Sequence, residues 1–165
     1  MEITNEILNS IKSESQLIDV LNNYTNFLPS HWKTISSLPF LSEQFIETNK
    51  DNVDWDYISR FQTLSKNFIR RHEVNIDWTL ITKYQKLSEN LIKEFKRYVD
   101  WINISIHQTL SEQFIKTNKD YVDWFYISIN QKLSENFIEE FKDNVDCELI
   151  LKYQTLSEQF ILDNW

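Results

Sequence analysis

Hydrophobic residues recur along the chain at a fixed interval of 23 residues. A leucine opens each interval, and Ser, two polar residues, Phe or Leu, and Ile follow it in that order. Such self-similarity is the sequence signature of a repeat protein. The opening leucines are Leu41, Leu64, Leu87, Leu110, Leu133 and Leu156.

A second motif begins twelve residues after each of the first five leucines. It reads Val or Ile, Asp, Trp, and the fifth copy has Cys147 in place of Trp. An Ile follows five residues after the Val or Ile, and a Gln follows four residues later. Five full copies therefore fill residues 41–155, and a truncated sixth copy fills 156–165. The Gln positions are Gln62, Gln85, Gln108, Gln131 and Gln154.

Both motifs have the residue pattern of a helix start. If Ser42 is the N-cap, Leu41 precedes the helix and Ile46 lies in its second turn, which is the arrangement of a hydrophobic staple. The same relation surrounds Asp54 in the second motif, with Ile58 in its second turn. Each copy is therefore predicted to be a helical hairpin, with a first helix of roughly ten residues and a second of about nine.

Asn or Tyr precedes the Val or Ile of each second motif, at Asn52, Asn75, Tyr98, Tyr121 and Asn144. Asn tolerates the left-handed backbone conformation, so these positions are predicted to make the turn that glycine makes elsewhere. One copy buries too little apolar surface to order itself, so neighbouring copies must stack. We expect an all-α fold, a right- or left-handed α-solenoid that forms a single domain. Leucine-rich repeats have the same period but a different consensus.

Residues 1–40 precede the repeats and carry helically spaced apolar residues. One set is Ile3, Ile7, Leu8 and Ile11, and another is Leu17, Leu21, Tyr24 and Leu28. Trp32 and Ile35 then fall in the same frame as the Trp and Ile of a second motif. We predict a helical cap over 1–40 that shields the first copy.

The composition excludes several classes of site. The chain of 165 residues contains no glycine, which removes phosphate-binding loops, the dinucleotide-binding turn and the glycine-flanked nucleophile of hydrolases. No basic leader and no run of about 18 apolar residues occurs, so the sequence predicts a cytoplasmic protein without a membrane span. Cys147 is the single cysteine, and as a replacement for Trp it is predicted to be a small buried residue.

The pattern L-S-E-x-F-I followed by V-D-W-x-x-I-S-x-x-Q covers residues 41–161. It resembles short tandem repeats in uncharacterised proteins of large DNA viruses and some phages. The resemblance implies an α-helical repeat fold and a viral or phage origin. It implies no particular activity, and Cys147 departs from its pattern.

No residue pattern indicates catalysis. The repeated Asp and Ser residues are explained as N-caps. The Gln positions favour hydrogen bonds to loop carbonyls between copies, with a peptide-binding ladder as the alternative. His31, His72 and His107 have no metal-ligand spacing. We therefore predict a protein that is not an enzyme and holds no cofactor or metal.

The copies differ from one another on the second helix, one and five residues after the Trp position. The first copy has Asp56 and Arg60 there, a charged pair typical of a solvated helix face. The third and fourth copies have four apolar residues instead, Ile102, Ile106, Phe125 and Ile129. Either the helix turns slightly and buries them, or they form an exposed patch for a protein partner or a second copy of the chain.

Charge is also uneven along the chain. Residues 133–165 contain eight acidic residues and two lysines, whereas residues 60–97 contain nine basic and four acidic residues. The leading hypothesis is a protein-binding module, a viral or phage factor that engages a host protein. The alternative is an acidic nucleic-acid mimic that blocks a nucleic-acid-binding protein. It would act through Glu135, Glu139, Glu140 and Asp143.

Overall fold

The computed structural model describes residues 3–164, and this part of the chain contains fourteen helices. The all-α class predicted from the sequence is confirmed. The chain divides into two compact units, Met1–Gln85 and Lys86–Trp165. The predicted solenoid and its single-domain organisation stay predictions.

The first unit contains the helices that precede the repeats and those of the first two copies. In it α1 packs on α3, α3 on α5 and α5 on α7. The helices are α1 (Asn5–Ser10), α2 (Glu14–Asn23), α3 (Pro29–Ser36), α4 (Glu43–Thr48), α5 (Trp55–Phe61), α6 (Lys66–Arg71) and α7 (Trp78–Tyr84).

The second unit contains three further hairpins and the helix of the truncated copy. In it α9 packs on α11 and α11 on α13, so the second helices of successive copies are neighbours. The helices are α8 (Glu89–Glu94), α9 (Trp101–His107), α10 (Glu112–Thr117), α11 (Trp124–Asn130), α12 (Glu135–Glu140), α13 (Cys147–Tyr153) and α14 (Glu158–Asn164).

The N-caps predicted from the two motifs are confirmed in all five copies. In the fourth copy, Ser111 Oγ accepts a hydrogen bond from the backbone N–H of Phe114 at 3.1 Å. Asp123 Oδ1 accepts from the backbone N–H of Tyr126 at 3.2 Å. Because each cap satisfies a backbone donor that the helix leaves unpaired, it fixes where the helix begins.

The helices are shorter than predicted, with six residues in the first helix of each full copy and seven in the second. The first helix of the first copy ends at Thr48, and the φ of −112° and ψ of 22° of the next residue, Asn49, lie outside the helical region. Asn49 O then accepts from Asn52 N at 2.9 Å and from Val53 N at 3.0 Å. The residues that were predicted to form the end of a longer first helix therefore form a hydrogen-bonded turn.

The predicted left-handed conformation at the turn is wrong. Within residues 3–164 the positive φ values are limited to Asn26, at 64°. None of the turn residues Asn52, Asn75, Tyr98, Tyr121 and Asn144 adopts this conformation. The hydrogen-bonded turn reverses the chain with negative φ throughout, which is why the repeat folds without glycine.

The segment before the repeats is helical, but the predicted second helix stops early. Helix α2 ends at Asn23, so Tyr24 and Leu28 lie outside it. Helix α3 takes the place of a second helix of a copy. Its Ser36 Oγ accepts from Asp54 N at 2.9 Å, which is the contact that repeat serines make in later copies.

Apolar side chains at the repeated positions form the core of each unit. The Ile of the second motif is fully buried in every copy, at Ile58, Ile81, Ile104, Ile127 and Ile150. The alternation of Ile102, Ile104 and Ile106 resembles a strand, yet these residues lie in α9. Across residues 3–164, every helix is too short or too polar to cross a membrane.

Candidate partner-binding surface

Two neighbouring helices, α9 and α11, carry the four apolar residues that distinguish the third and fourth copies. Ile102 is 52% exposed and Phe125 is 51% exposed, whereas Ile106 and Ile129 are half-buried. We call these four residues the apolar patch. Ile102 and Ile106 lie four residues apart on α9, and Phe125 and Ile129 lie four apart on α11, so each pair follows one helix face.

The helices have not turned to bury the patch. Ile104 and Ile127 are fully buried, as Ile58 and Ile81 are at the same repeat position in α5 and α7. All four helices therefore present the same residues to the core. The additional apolar side chains of α9 and α11 remain on the outer face.

Aromatic and polar side chains border the patch. Phe125 contacts Tyr126 edge-on at 5.2 Å between ring centroids. On the next helix, α13, the positions that correspond to the patch are Glu148 and Lys152, and both are exposed. A cavity of about 260 Å³ lies beside Ile129 between the ends of α11 and α13. On the α13 side, the apolar patch therefore borders both charged residues and the exposed aromatic ring of Tyr153.

The acidic residues of the alternative hypothesis differ in their contacts. Glu135 accepts a hydrogen bond from the backbone N–H of Ser157 at 2.5 Å. Glu140 forms an ion pair with Lys116. Glu139 and Asp143 are exposed and line a cavity of about 340 Å³ next to Cys147. Two of the four carboxylates are therefore engaged within the protein.

The predicted role of the repeated Gln in bonding loop carbonyls is confirmed. The side-chain amide of Gln131 donates to Ser105 O at 3.1 Å and to Gln108 O at 2.8 Å, and both carbonyls belong to the preceding copy. Its carbonyl oxygen accepts from the backbone N–H of Leu110 at 3.0 Å. Gln154 makes the same set of bonds one copy later.

A ladder of buried Ser residues was not recognised from the sequence. Ser128 is fully buried in α11, where its hydroxyl donates to Trp124 O at 2.7 Å and accepts from Asp146 N at 3.0 Å. Ser59 and Ser105 accept the equivalent backbone donor from the copy that follows each. The sequence feature that could have revealed this ladder is the repetition of Ser three residues before the Gln.

A second unrecognised ladder joins the first helices of successive copies. The first residue of α10, Glu112, accepts from the backbone N–H of Ser134 at 2.5 Å. Glu43 accepts from both the backbone N–H and the hydroxyl of Ser65. The Glu that opens the first helix therefore links the first, third, fourth and fifth copies to the N-cap of the copy that follows, whereas the second copy has Lys66 at this position.

His72 is buried in the first unit and touches charged and aromatic groups. Its Nε2 lies 2.9 Å from Glu47 Oε2, and its ring lies 4.3 Å from that of Phe68 and 4.9 Å from that of Trp55. The hydrogen bond with His72 is the main cause that lowers the pKa of Glu47 from its ordinary value of 4.5. The positive charge of Arg71, 3.7 Å away, acts in the same direction.

The histidines do not assemble a metal centre. The described part of the chain contains no group of three or more His, Cys, Asp or Glu side chains placed to hold a metal ion. His31 Nδ1 accepts from the backbone N–H of Leu28 at 3.2 Å, and His107 is exposed.

The prediction that Cys147 is buried is wrong, because its side chain is exposed. In the earlier copies the Trp at this position is only half-buried, for example Trp101 and Trp124. The smaller side chain of Cys147 leaves the space beside it open to solvent.

Comparison of the chain with family models, with curated proteins and with solved structures gives no match to any of them. The apolar patch therefore has to be interpreted from its own chemistry.

Proposed function

We propose that this chain is a non-enzymatic helical-repeat protein that binds another protein through the apolar patch. The observation that carries the proposal is the exposure of Ile102 and Phe125 on neighbouring helices, at a position where the first and fifth copies have charged residues. Contiguous exposed apolar side chains on a polar surface mark interaction sites.

The composition of the patch fits an interface centre. Phe125 and Ile102 supply apolar area that loses contact with water on binding, and the half-buried Ile106 and Ile129 extend this area by one turn along each helix. The charged residues Glu148 and Lys152 on α13 lie at the corresponding positions of the next helix, where an interface rim is expected to be polar.

The resemblance of the repeat to those of viral and phage proteins makes a host protein the first partner to seek. The nucleic-acid mimic has less support, because Glu135 and Glu140 are held by contacts within the chain. A mimic needs its carboxylates free to meet a basic site.

The test is association of the full chain before and after replacement of Ile102 and Phe125 by Ser. A pull-down from the natural host followed by a binding titration with the purified partner measures the effect. We expect the double variant to lose binding at least tenfold, since truncated interface centres cost more than the ~1.4 kcal/mol that corresponds to tenfold. Circular dichroism checks that its helicity is unchanged.

Val74→Ser is the matched control, because Val74 is 87% exposed and lies outside the patch. It removes an exposed apolar side chain and is expected to leave binding unchanged. Light scattering of the unmodified chain distinguishes a foreign partner from self-association through the same residues. Undiminished binding by a folded double variant would contradict the proposal.

A further inference from the structure

Two neighbouring helices of the first unit, α5 and α7, end in exposed aromatic side chains. Phe61 is the last residue of α5 and is 46% exposed, and Tyr84 is the last residue of α7 and is 44% exposed. A basic residue precedes each ring, Arg60 in α5 and Lys83 in α7, and both basic residues are exposed. We call these four residues the basic aromatic patch. It lies within the first unit and shares no residue with the apolar patch.

One guanidinium group lies against both rings of this patch. Arg60 Cζ is 5.0 Å from the ring centroid of Phe61 and 5.1 Å from that of Tyr84. Lys83 Nζ is 5.4 Å from the centroid of Tyr84. Attraction between a cation and an aromatic ring accounts for these positions. The two rings and the two positive charges therefore form one continuous surface across α5 and α7.

The positive charges of the patch are available to an anionic partner. Within residues 3–164, neither Arg60 nor Lys83 forms an ion pair with a carboxylate. Asp56 is exposed one turn before Arg60, toward the beginning of α5. Residues 60–97 together contain nine basic and four acidic residues. An anionic partner therefore complements this surface.

The pairing of two exposed rings distinguishes α5 and α7 from the later second helices. The third and fourth copies have His107 and Asn130 in place of the ring. The fifth copy has Lys152 and Tyr153 at the end of α13, and Lys152 Nζ lies 5.1 Å from the centroid of that ring. The neighbouring helix α11 ends at Asn130, so Tyr153 has no second ring beside it at this repeat position.

We propose that the basic aromatic patch binds single-stranded nucleic acid. Two bases of one strand would stack on the exposed ring surfaces of Phe61 and Tyr84, and Arg60 and Lys83 would contact phosphates beside these bases. Aromatic side chains next to basic residues bind single strands in this way without reading their sequence. A duplex fits less well, because its bases are already stacked on one another. An acidic protein segment would satisfy the charges and leave the rings without a stacking partner.

The experiment is a titration of fluorescently labelled oligothymidylate with the full chain, followed by fluorescence anisotropy. We expect saturable binding whose logarithm falls with the logarithm of the salt concentration with a slope of about −1.4, as two neutralised phosphates of a single strand predict. The same oligonucleotide annealed to its complement is expected to bind about fivefold more weakly or less, since stacking on the rings is lost. Polyglutamate, which offers charge without bases, is expected to be a correspondingly weaker competitor.

The double variant Phe61→Leu, Tyr84→Leu removes both rings and keeps apolar side chains in their place. It is expected to weaken binding about twentyfold or more, because stacking of a single base contributes about fivefold or more. Arg60→Gln combined with Lys83→Gln is expected to abolish most of the salt dependence. Tyr153→Leu is the matched control, since it makes the same change at the same repeat position in the second unit, and its affinity is expected to equal that of the unmodified chain. Circular dichroism checks the helicity of every variant.

Absence of saturable binding by the unmodified chain would overturn the proposal. Undiminished binding by the folded variant without the two rings would do the same, because the strand would then lie elsewhere. Competition by polyglutamate at the same charge concentration as the oligonucleotide would assign the surface to an acidic protein instead. None of these results depends on the apolar patch, and the variant with Ser in place of Ile102 and Phe125 is expected to bind the oligonucleotide as the unmodified chain does.

Discussion

The side-chain amide of Gln131 donates a hydrogen bond to the backbone carbonyl of Gln108, the same residue one copy earlier, at 2.8 Å. Both side chains are buried. Gln108 in turn accepts the backbone N–H of Leu87 at 2.9 Å. Each Gln therefore satisfies loop groups that would otherwise be buried without partners, and within residues 3–164 no buried side-chain polar atom lacks a partner.

Replacing Gln131 by Leu is expected to destabilise the protein by about 3 kcal/mol, because it leaves two buried carbonyls and the N–H of Leu110 without their partner. Urea denaturation followed by circular dichroism measures the loss. Gln113→Leu is the control, since Gln113 is exposed on α10, and it is expected to change stability by less than about 0.5 kcal/mol. Equal losses in the two variants would contradict the structural role of the Gln ladder.

Ser128 provides a second test, and another copy of the repeat indicates which substitution at this position should be tolerated. Ser128→Ala removes the acceptor of the Asp146 N–H and is expected to cost about 1–3 kcal/mol. Ser128→Thr is expected to retain most of the stability. Thr82 occupies the same repeat position, is buried, and its hydroxyl donates to Trp78 O at 2.7 Å. Thermal unfolding of both variants measures the difference, and an Ala variant as stable as the Thr variant would be evidence against the Ser ladder.

The helix starts were predictable because both partners of an N-cap lie within three residues, as with Ser111 and Phe114. The Ser ladder was not, because the partner of Ser105 is the backbone of Asp123, 18 residues away. A mid-helix Ser in isolation has no feature that reveals a buried contact with another copy. The repeated Gln was interpreted correctly because a long polar side chain at a buried repeat position needs such partners.

The residues of the candidate surface could be predicted from the sequence, but their exposure to solvent could not. Ile102 and Phe125 stand out in the sequence because other copies have polar residues in their place. Whether they face solvent depends on the rotation of α9 and α11, which the packing of Ile104 and Ile127 sets. The burial of Cys147 was predicted wrongly for a related reason, because the Trp that it replaces lies at the edge of the core and not inside it.

Glu47 is expected to make stability depend on pH in the acid range. Because its pKa is lowered in the folded protein, chiefly by the hydrogen bond with His72, its contribution is present above the ordinary value of 4.5 and is lost as pH falls through the lowered pKa. Glu47→Gln should therefore have a lower melting temperature than the unmodified chain at neutral pH, and the difference should close below pH 4.5.

Glu139→Gln is the matched control for this measurement, because Glu139 holds the same repeat position in the fifth copy and is exposed. Its melting temperature is expected to follow that of the unmodified chain from neutral to acid pH. If the curves of Glu47→Gln and the unmodified chain run parallel, the interaction of Glu47 with His72 does not contribute to folding.

The two isoleucines Ile102 and Ile104 are expected to respond differently to truncation, although they lie two residues apart in the same helix. Ile104 is fully buried, so Ile104→Ala is expected to cost about 2–5 kcal/mol through lost burial and the cavity that remains. Ile102 is 52% exposed, so Ile102→Ala is expected to cost about 0.5 kcal/mol or less. Denaturant unfolding of the two single variants measures both values.

The contrast between the two variants separates the two interpretations of the apolar patch. If the helix were turned to bury Ile102, each variant would lose a comparable amount of stability. A large loss at Ile104 alone means that the apolar side chain at Ile102 is not retained for folding, and its role must then be sought in contacts outside the chain.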